Sequence, residues 1–90
     1  MVIKKTITVS NSAGLHARPG AEFVMLAKKF NGAVIVTYKN KQVNGKSMLE
    51  ILKLGVIPGQ KIHVELRPDG EKDEIQKHQF ILKFKELCNS

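Results

Sequence analysis

Ninety residues are too few to divide a hydrophobic core between two units, so residues 1–90 are expected to form a single domain. Hydrophobic residues make up 42% of the chain, a globular composition, and no apolar run approaches the roughly 20 residues that cross a bilayer, so no membrane insertion is expected. Fifteen Lys and Arg against eight Asp and Glu leave a net charge of +7 that suits an acidic partner, and with four Phe, one Tyr and no Trp a base-stacking platform is hard to assemble, which argues against nucleic acid.

The N-terminal segment MVIKKTITV alternates too strictly for a signal peptide, so a cytoplasmic location is expected. Within residues 2–9, Ile3, Ile7 and Val9 are apolar while Lys4, Thr6 and Thr8 are polar, the two-residue period of a half-buried strand. From Pro19 the period lengthens to about 3.6, with Phe23, Leu26, Ala27 and Phe30 on one face. Lys28 and Lys29 fall in the last turn of this helix and Asn31-Gly32 stop it. AVIVTYK at 33–39 is rich in β-branched residues, and with Asn40-Lys41 and Gln42-Val43-Asn44 it reads as a hairpin.

SMLEILKL at 47–54 makes a short helix that is apolar around much of its circumference, stopped by Gly55 and Pro58-Gly59. KIHVELR at 61–67 alternates again, placing His63 opposite Ile62, Val64 and Leu66. After the Asp69-Gly70 turn, acidic Glu71, Asp73 and Glu74 precede a segment ending in Lys83 and Lys85, the charge order a helix dipole favours. In that third helix Phe80, Ile81, Leu82 and Phe84 crowd more tightly than a clean stripe would. The order βαββαβα is best satisfied by a two-layer α+β open-faced sandwich, a four-stranded antiparallel sheet with three helices on one face.

The stretch GLHARPG at 14–20 concentrates the chemistry. Gly14 permits a tight turn that delivers His16 to the mouth of the first helix. The unpaired N–H groups there, with their partial positive charge, make a ready site for phosphate, and Pro19 wastes no donor. Arg18 can supply a charge-assisted bond to the same anion. An imidazole that accepts a phosphoryl group must be neutral, and a helix N-terminus disfavours the imidazolium form. Because a residue before proline resists helical geometry, the first regular turn is expected at Pro19, with the identity of the cap left open.

GLHARP resembles the Gly-aliphatic-His-small-Arg-Pro signature of the HPr family, the histidine phosphocarriers of the bacterial sugar phosphotransferase system, and VNGKSMLEILKLGV resembles that family's regulatory-serine segment. The resemblance covers nearly the whole chain. It implies a carrier rather than an enzyme, with no cofactor: His16 takes a phosphoryl group on Nδ1 from phosphorylated enzyme I and passes it to IIA components of sugar permeases. It also implies that Arg18, with the backbone around Ala17, Pro19 and Gly20, holds the phosphoryl group. A regulatory module of the same family without sugar flux, and a basic RNA-binding domain, are the alternatives.

Ser47 followed by Glu50 fits a capping box, in which each side chain satisfies the other's backbone N–H. By resemblance Ser47 is also a phosphorylation site for a dedicated kinase, HPr kinase/phosphorylase. Glu50, where the family commonly has a small residue, and Lys53 depart from its pattern. Ile51 and Leu54 are assigned to the core, and Met48, Leu49 and Leu52, with Ala21, Val24 and Met25, to one partner-docking patch. Arg18, Lys28, Lys46 and Lys53 would form its basic rim. His63 and His78 read as surface residues, and Glu22 as a local partner of the site at best. No metal site is expected, Gly55–Gly59 is only a loose match to a nucleic-acid clamp, and Cys88 reads as an incidental reduced thiol in a monomer.

Overall fold

The computed structural model describes residues 2–70 and 74–89, apart from the side chains of residues 17, 74 and 75. The elements follow the expected order: β1 Ile3–Val9, α1 Ala17–Lys28, β2 Gly32–Tyr38, β3 Lys41–Asn44, α2 Met48–Lys53, β4 Gln60–Pro68 and α3 Glu74–Cys88. The strands form one antiparallel sheet in the order β1-β4-β2-β3. The three helices cover one face of it, as the alternation of β1 and β4 requires.

Register carries that alternation across the sheet. Ile7 pairs with Ile62 and Val36 with Val64, all four buried. Lys4, Thr6, Thr8, Lys61, His63 and Arg67 are exposed on the other face, where Thr6 Oγ1 lies 2.8 Å from His63 Nδ1. His63 is thus on the open face, as expected, and His78 is exposed on α3.

The crowding of apolar residues in α3 resolves into an ordinary stripe. Phe80, Ile81, Phe84 and Cys88 are buried at helical spacing, and Leu82 points away from them, largely exposed. Phe84 packs at a tilt on Phe23 with ring centroids 4.6 Å apart, and Phe80 meets Phe30 edge-on at 5.2 Å, so aromatic pairs lock α3 to α1 and to the turn just beyond it. Cys88 is a core residue rather than an incidental one. Burial pushes its thiol up to about 12, which leaves it unionised at neutral pH. Glu71 and Asp73, expected to lead into α3, lie outside the described residues.

Two expectations about α2 are sharpened. Ile51 and Leu54 are buried, as assigned. The capping box is half formed: Ser47 Oγ accepts the N–H of Glu50 at 3.3 Å, but the Glu50 carboxylate reaches back past Ser47 to the N–H of Asn44 at 3.1 Å. The Ser47 N–H already donates to the Asn44 carbonyl at 3.0 Å, so it has no need of the carboxylate. Ser47→Ala is expected to cost about 1 kcal/mol in urea unfolding, the usual value of such a cap. A cost near zero would mean that Glu50 alone holds the start of α2.

Candidate functional site

The loop between β1 and α1 is held from three directions before it reaches His16. The carbonyl of Cys88, at the end of α3, accepts the N–H groups of Ser10 at 2.9 Å and Asn11 at 3.0 Å. Buried Asn11 then organises the turn: its Oδ1 accepts the N–H of Ala13 at 3.2 Å, its Nδ2 donates to the Leu87 carbonyl at 3.4 Å, and its own carbonyl accepts from Gly14 at 3.4 Å. Finally Leu15, fully buried, donates its N–H to the carbonyl of Val56 at 3.1 Å. Neither Asn11 nor Val56 stood out in the sequence. The Asn-Ser-Ala-Gly run was the available signal for Asn11, because asparagine two residues before a backbone N–H is a turn-forming chemistry; for Val56 there was none.

His16 follows as the residue that caps α1. Its backbone is extended, with φ −109° and ψ 164°, and its side chain is exposed and makes no cap hydrogen bond. The helix therefore begins at Ala17, two residues before the expected start, with Arg18 in helical geometry and Pro19 in the third helical position. Proline tolerates any place in a first turn because its missing N–H would have had no acceptor there. The backbone donors left without an intrahelical acceptor beside the imidazole are those of Ala17 and Arg18.

Gly20 does not join them, which corrects its expected part in holding phosphate. Its N–H donates to the His16 carbonyl at 3.4 Å and the residue is buried. Its lack of a side chain serves packing, since a Cβ there would lie 2.6 Å from the Leu15 carbonyl oxygen and 3.1 Å from Leu52 Cδ2. Pro19, half-buried, offers no donor either and acts only by shaping the turn. The Arg18 side chain is 87% exposed and pairs with Glu22 one turn on, Nε to Oε2 at 3.6 Å.

The two helices α1 and α2 also carry exposed or half-buried apolar side chains. Met25 and Leu49 are each 63% exposed, Met48 is exposed, and Ala21 and Leu52 are half-buried. Val24 is not among them: at 1% exposure it belongs to the core, because α1 packs against both α2 and α3 and its buried arc is wide enough to take in Gly20, Phe23, Val24 and Ala27. Exposed Ile57 was not anticipated; its Cα lies beside Gly14. Lys28 and Lys53 are exposed as a basic rim requires, but the Lys46 ammonium donates to the Phe30 carbonyl at 2.8 Å and tethers the α1–β2 connection instead. Among the described residues no three His, Cys, Asp or Glu side chains gather as a metal site would need, and no helix is long and apolar enough to cross a membrane.

An exposed imidazole at a helix N-terminus, beside backbone donors without intrahelical acceptors and an arginine, on an open-faced α+β sandwich, is an arrangement able to hold an anionic group. Comparison with known proteins agrees. The sequence profile described as the PTS HPr component phosphorylation site matches residues 3–83. The phosphocarrier protein HPr of Buchnera aphidicola subsp. Acyrthosiphon pisum is 35% identical over 81 residues, 90% of this chain and 95% of that protein. The crystal structure of the phosphocarrier HPr from Bacillus anthracis superposes with a TM-score of 0.82 at 26% identity, over 96% of this chain and 95% of that one. An HPr structure from Thermoanaerobacter tengcongensis gives 0.79 at 36% identity, over 97% and 94%. The chain belongs to the HPr family, the phosphocarrier proteins of the phosphotransferase system.

Proposed function

We propose that this chain, acting as one domain in the cytoplasm, accepts a phosphoryl group on His16 from phosphorylated enzyme I and delivers it to IIA components of sugar permeases. The observation that carries this reading is the exposed His16 side chain, which makes no cap hydrogen bond although it stands at the start of α1. In the transfer, the lone pair of Nδ1 on a neutral His16 ring forms the new P–N bond. The P–N bond to the donor histidine breaks, and its electron pair returns to the donor ring. In this reading the N–H groups of Ala17 and Arg18 and the Arg18 guanidinium take the charge on the phosphoryl oxygens, which a helix terminus and a charge-assisted donor stabilise together. The reverse sequence hands the group to the next acceptor.

The patch of Ala21, Met25, Met48, Leu49 and Leu52, extended by Ile57, serves as the docking surface for both partners, with Arg18, Lys28 and Lys53 steering acidic surfaces onto it. Leu49→Asp is expected to raise KM for transfer from enzyme I about tenfold with little change in kcat, the signature of lost docking. Its exposure keeps the change in folding stability within about 0.5 kcal/mol. An unchanged KM would move the docking surface elsewhere. Ser47 is the site for a regulatory kinase: a phosphate at the N-terminus of α2 is compatible with the fold and sets negative charge where acidic partners approach.

The test of the whole reading is direct. Incubated with phosphoenolpyruvate and enzyme I, the protein should gain acid-labile, base-stable phosphate and lose it on addition of a sugar IIA domain. A protein that gains none is not a carrier of this kind, and one that gains phosphate but cannot give it to any sugar IIA belongs to a regulatory system.

A further inference from the structure

Glu22 pairs with Arg18 from one turn further along α1 and has no part in the transfer as described. It sits beyond the first turn of α1, which holds no acidic residue, so it contributes little to the helix dipole. Its ion pair with Arg18 runs with the cation N-terminal to the anion, the less favourable order on a helix, and both side chains are substantially exposed, 87% and 48%. Helix stabilisation therefore does not account for the pairing. What the pairing does is occupy the guanidinium of Arg18, two residues after His16 in the chain.

We propose that Glu22 is a positioning residue that competes with the phosphoryl group for Arg18, and so sets how strongly the site holds its cargo. This inference rests on the reading of His16 as the phosphoryl acceptor. Before transfer, Arg18 Nε faces the Glu22 carboxylate at 3.6 Å. When a phosphoryl dianion is bonded to His16, the guanidinium turns to the stronger acceptor, and Glu22 is left unpaired beside a like charge. Both consequences raise the free energy of the phosphorylated form above that of the same chain without the carboxylate. A carrier profits from this, because a group held less tightly is handed on more readily. The guanidinium is released from the phosphoryl oxygens to a waiting partner as the group departs.

The experiment is an equilibrium one, so that any effect of Glu22 on docking cancels. With enzyme I as catalyst and phosphoenolpyruvate and pyruvate at a fixed ratio, the ratio of phosphorylated to free carrier is read by intact-mass spectrometry. Glu22→Gln should raise that ratio about threefold, in line with the loss of a weak exposed ion pair and one nearby like charge. Glu22→Asp, which keeps the charge, should stay close to the wild type. In the unphosphorylated proteins the Arg18 Nε–H resonance should differ between wild type and Glu22→Gln, and in the phosphorylated proteins the difference should vanish. An Arg18 resonance indifferent to the substitution in the free protein overturns the pairing itself. An unchanged ratio in a wild type that is phosphorylated overturns the role of Glu22 alone. A wild type that takes up no phosphate overturns the carrier reading and this inference with it.

Discussion

Replacing His16 by alanine is expected to abolish the uptake of acid-labile phosphate from phosphoenolpyruvate and enzyme I, while the protein unfolds within about 0.5 kcal/mol of the wild type. The two halves of that expectation come from one feature of the structure. His16 caps α1 with its backbone alone, and the side chain is exposed and makes no cap hydrogen bond, so removing the ring costs the fold almost nothing. A histidine that acted as a cap would instead cost about 1 kcal/mol. Arg18 separates the nucleophile from its support: Arg18→Ala should leave phosphorylation detectable but slow it about 100-fold, the usual effect of removing one donor aimed at developing negative charge. Arg18→Lys should recover part of the rate, since the charge remains and the planar fork does not. Phosphate uptake by His16→Ala at the wild-type rate would place the acceptor on another residue.

The order of elements was legible in the sequence because β1 and β4 alternate, β2 is rich in β-branched residues and α1 keeps a helical period, and the three strands lie within a residue of the segments so marked out. Local rules failed where distant residues intervene. The start of α1 was misplaced by the reluctance of a pre-proline residue to be helical; the hydrogen bonds from Gly14 to Asn11 and from Leu15 to Val56 fix the chain's approach, and α1 begins at Ala17 in spite of Arg18. Val24 was misassigned because a periodic pattern does not say how many neighbours a helix has, and two helices leave less free surface than one. Lys46 was placed on a basic rim by its charge, whereas its length lets it reach the Phe30 carbonyl. The placement of His16 and Arg18 at the start of α1, by contrast, was legible because it depends on consecutive residues at one helix end.

Gly14 and Gly55 allow the architecture of the site to be weighed against simple backbone strain. Both have positive φ, +65° and +67°, so alanine at either meets the same left-handed penalty of about 1 kcal/mol. Their surroundings differ completely: nothing lies within 4 Å of a Cβ at Gly55, whereas a Cβ at Gly14 would stand 2.2 Å from the Val56 carbonyl oxygen. That oxygen cannot yield without consequence, for it accepts the N–H of Leu15, the residue that precedes His16. Gly55→Ala should therefore cost about 1 kcal/mol and leave transfer intact. Gly14→Ala should cost about 3 kcal/mol or more, because strain and overpacking add. It should also slow phosphorylation in the fraction that remains folded, since the loop can relieve the clash only by shifting His16 away from the free N–H groups of α1. Urea unfolding of the two variants, with phosphorylation rates measured well below the midpoint, separates the terms. Equal costs at the two glycines would mean that the contact with Val56 does not hold the histidine in place.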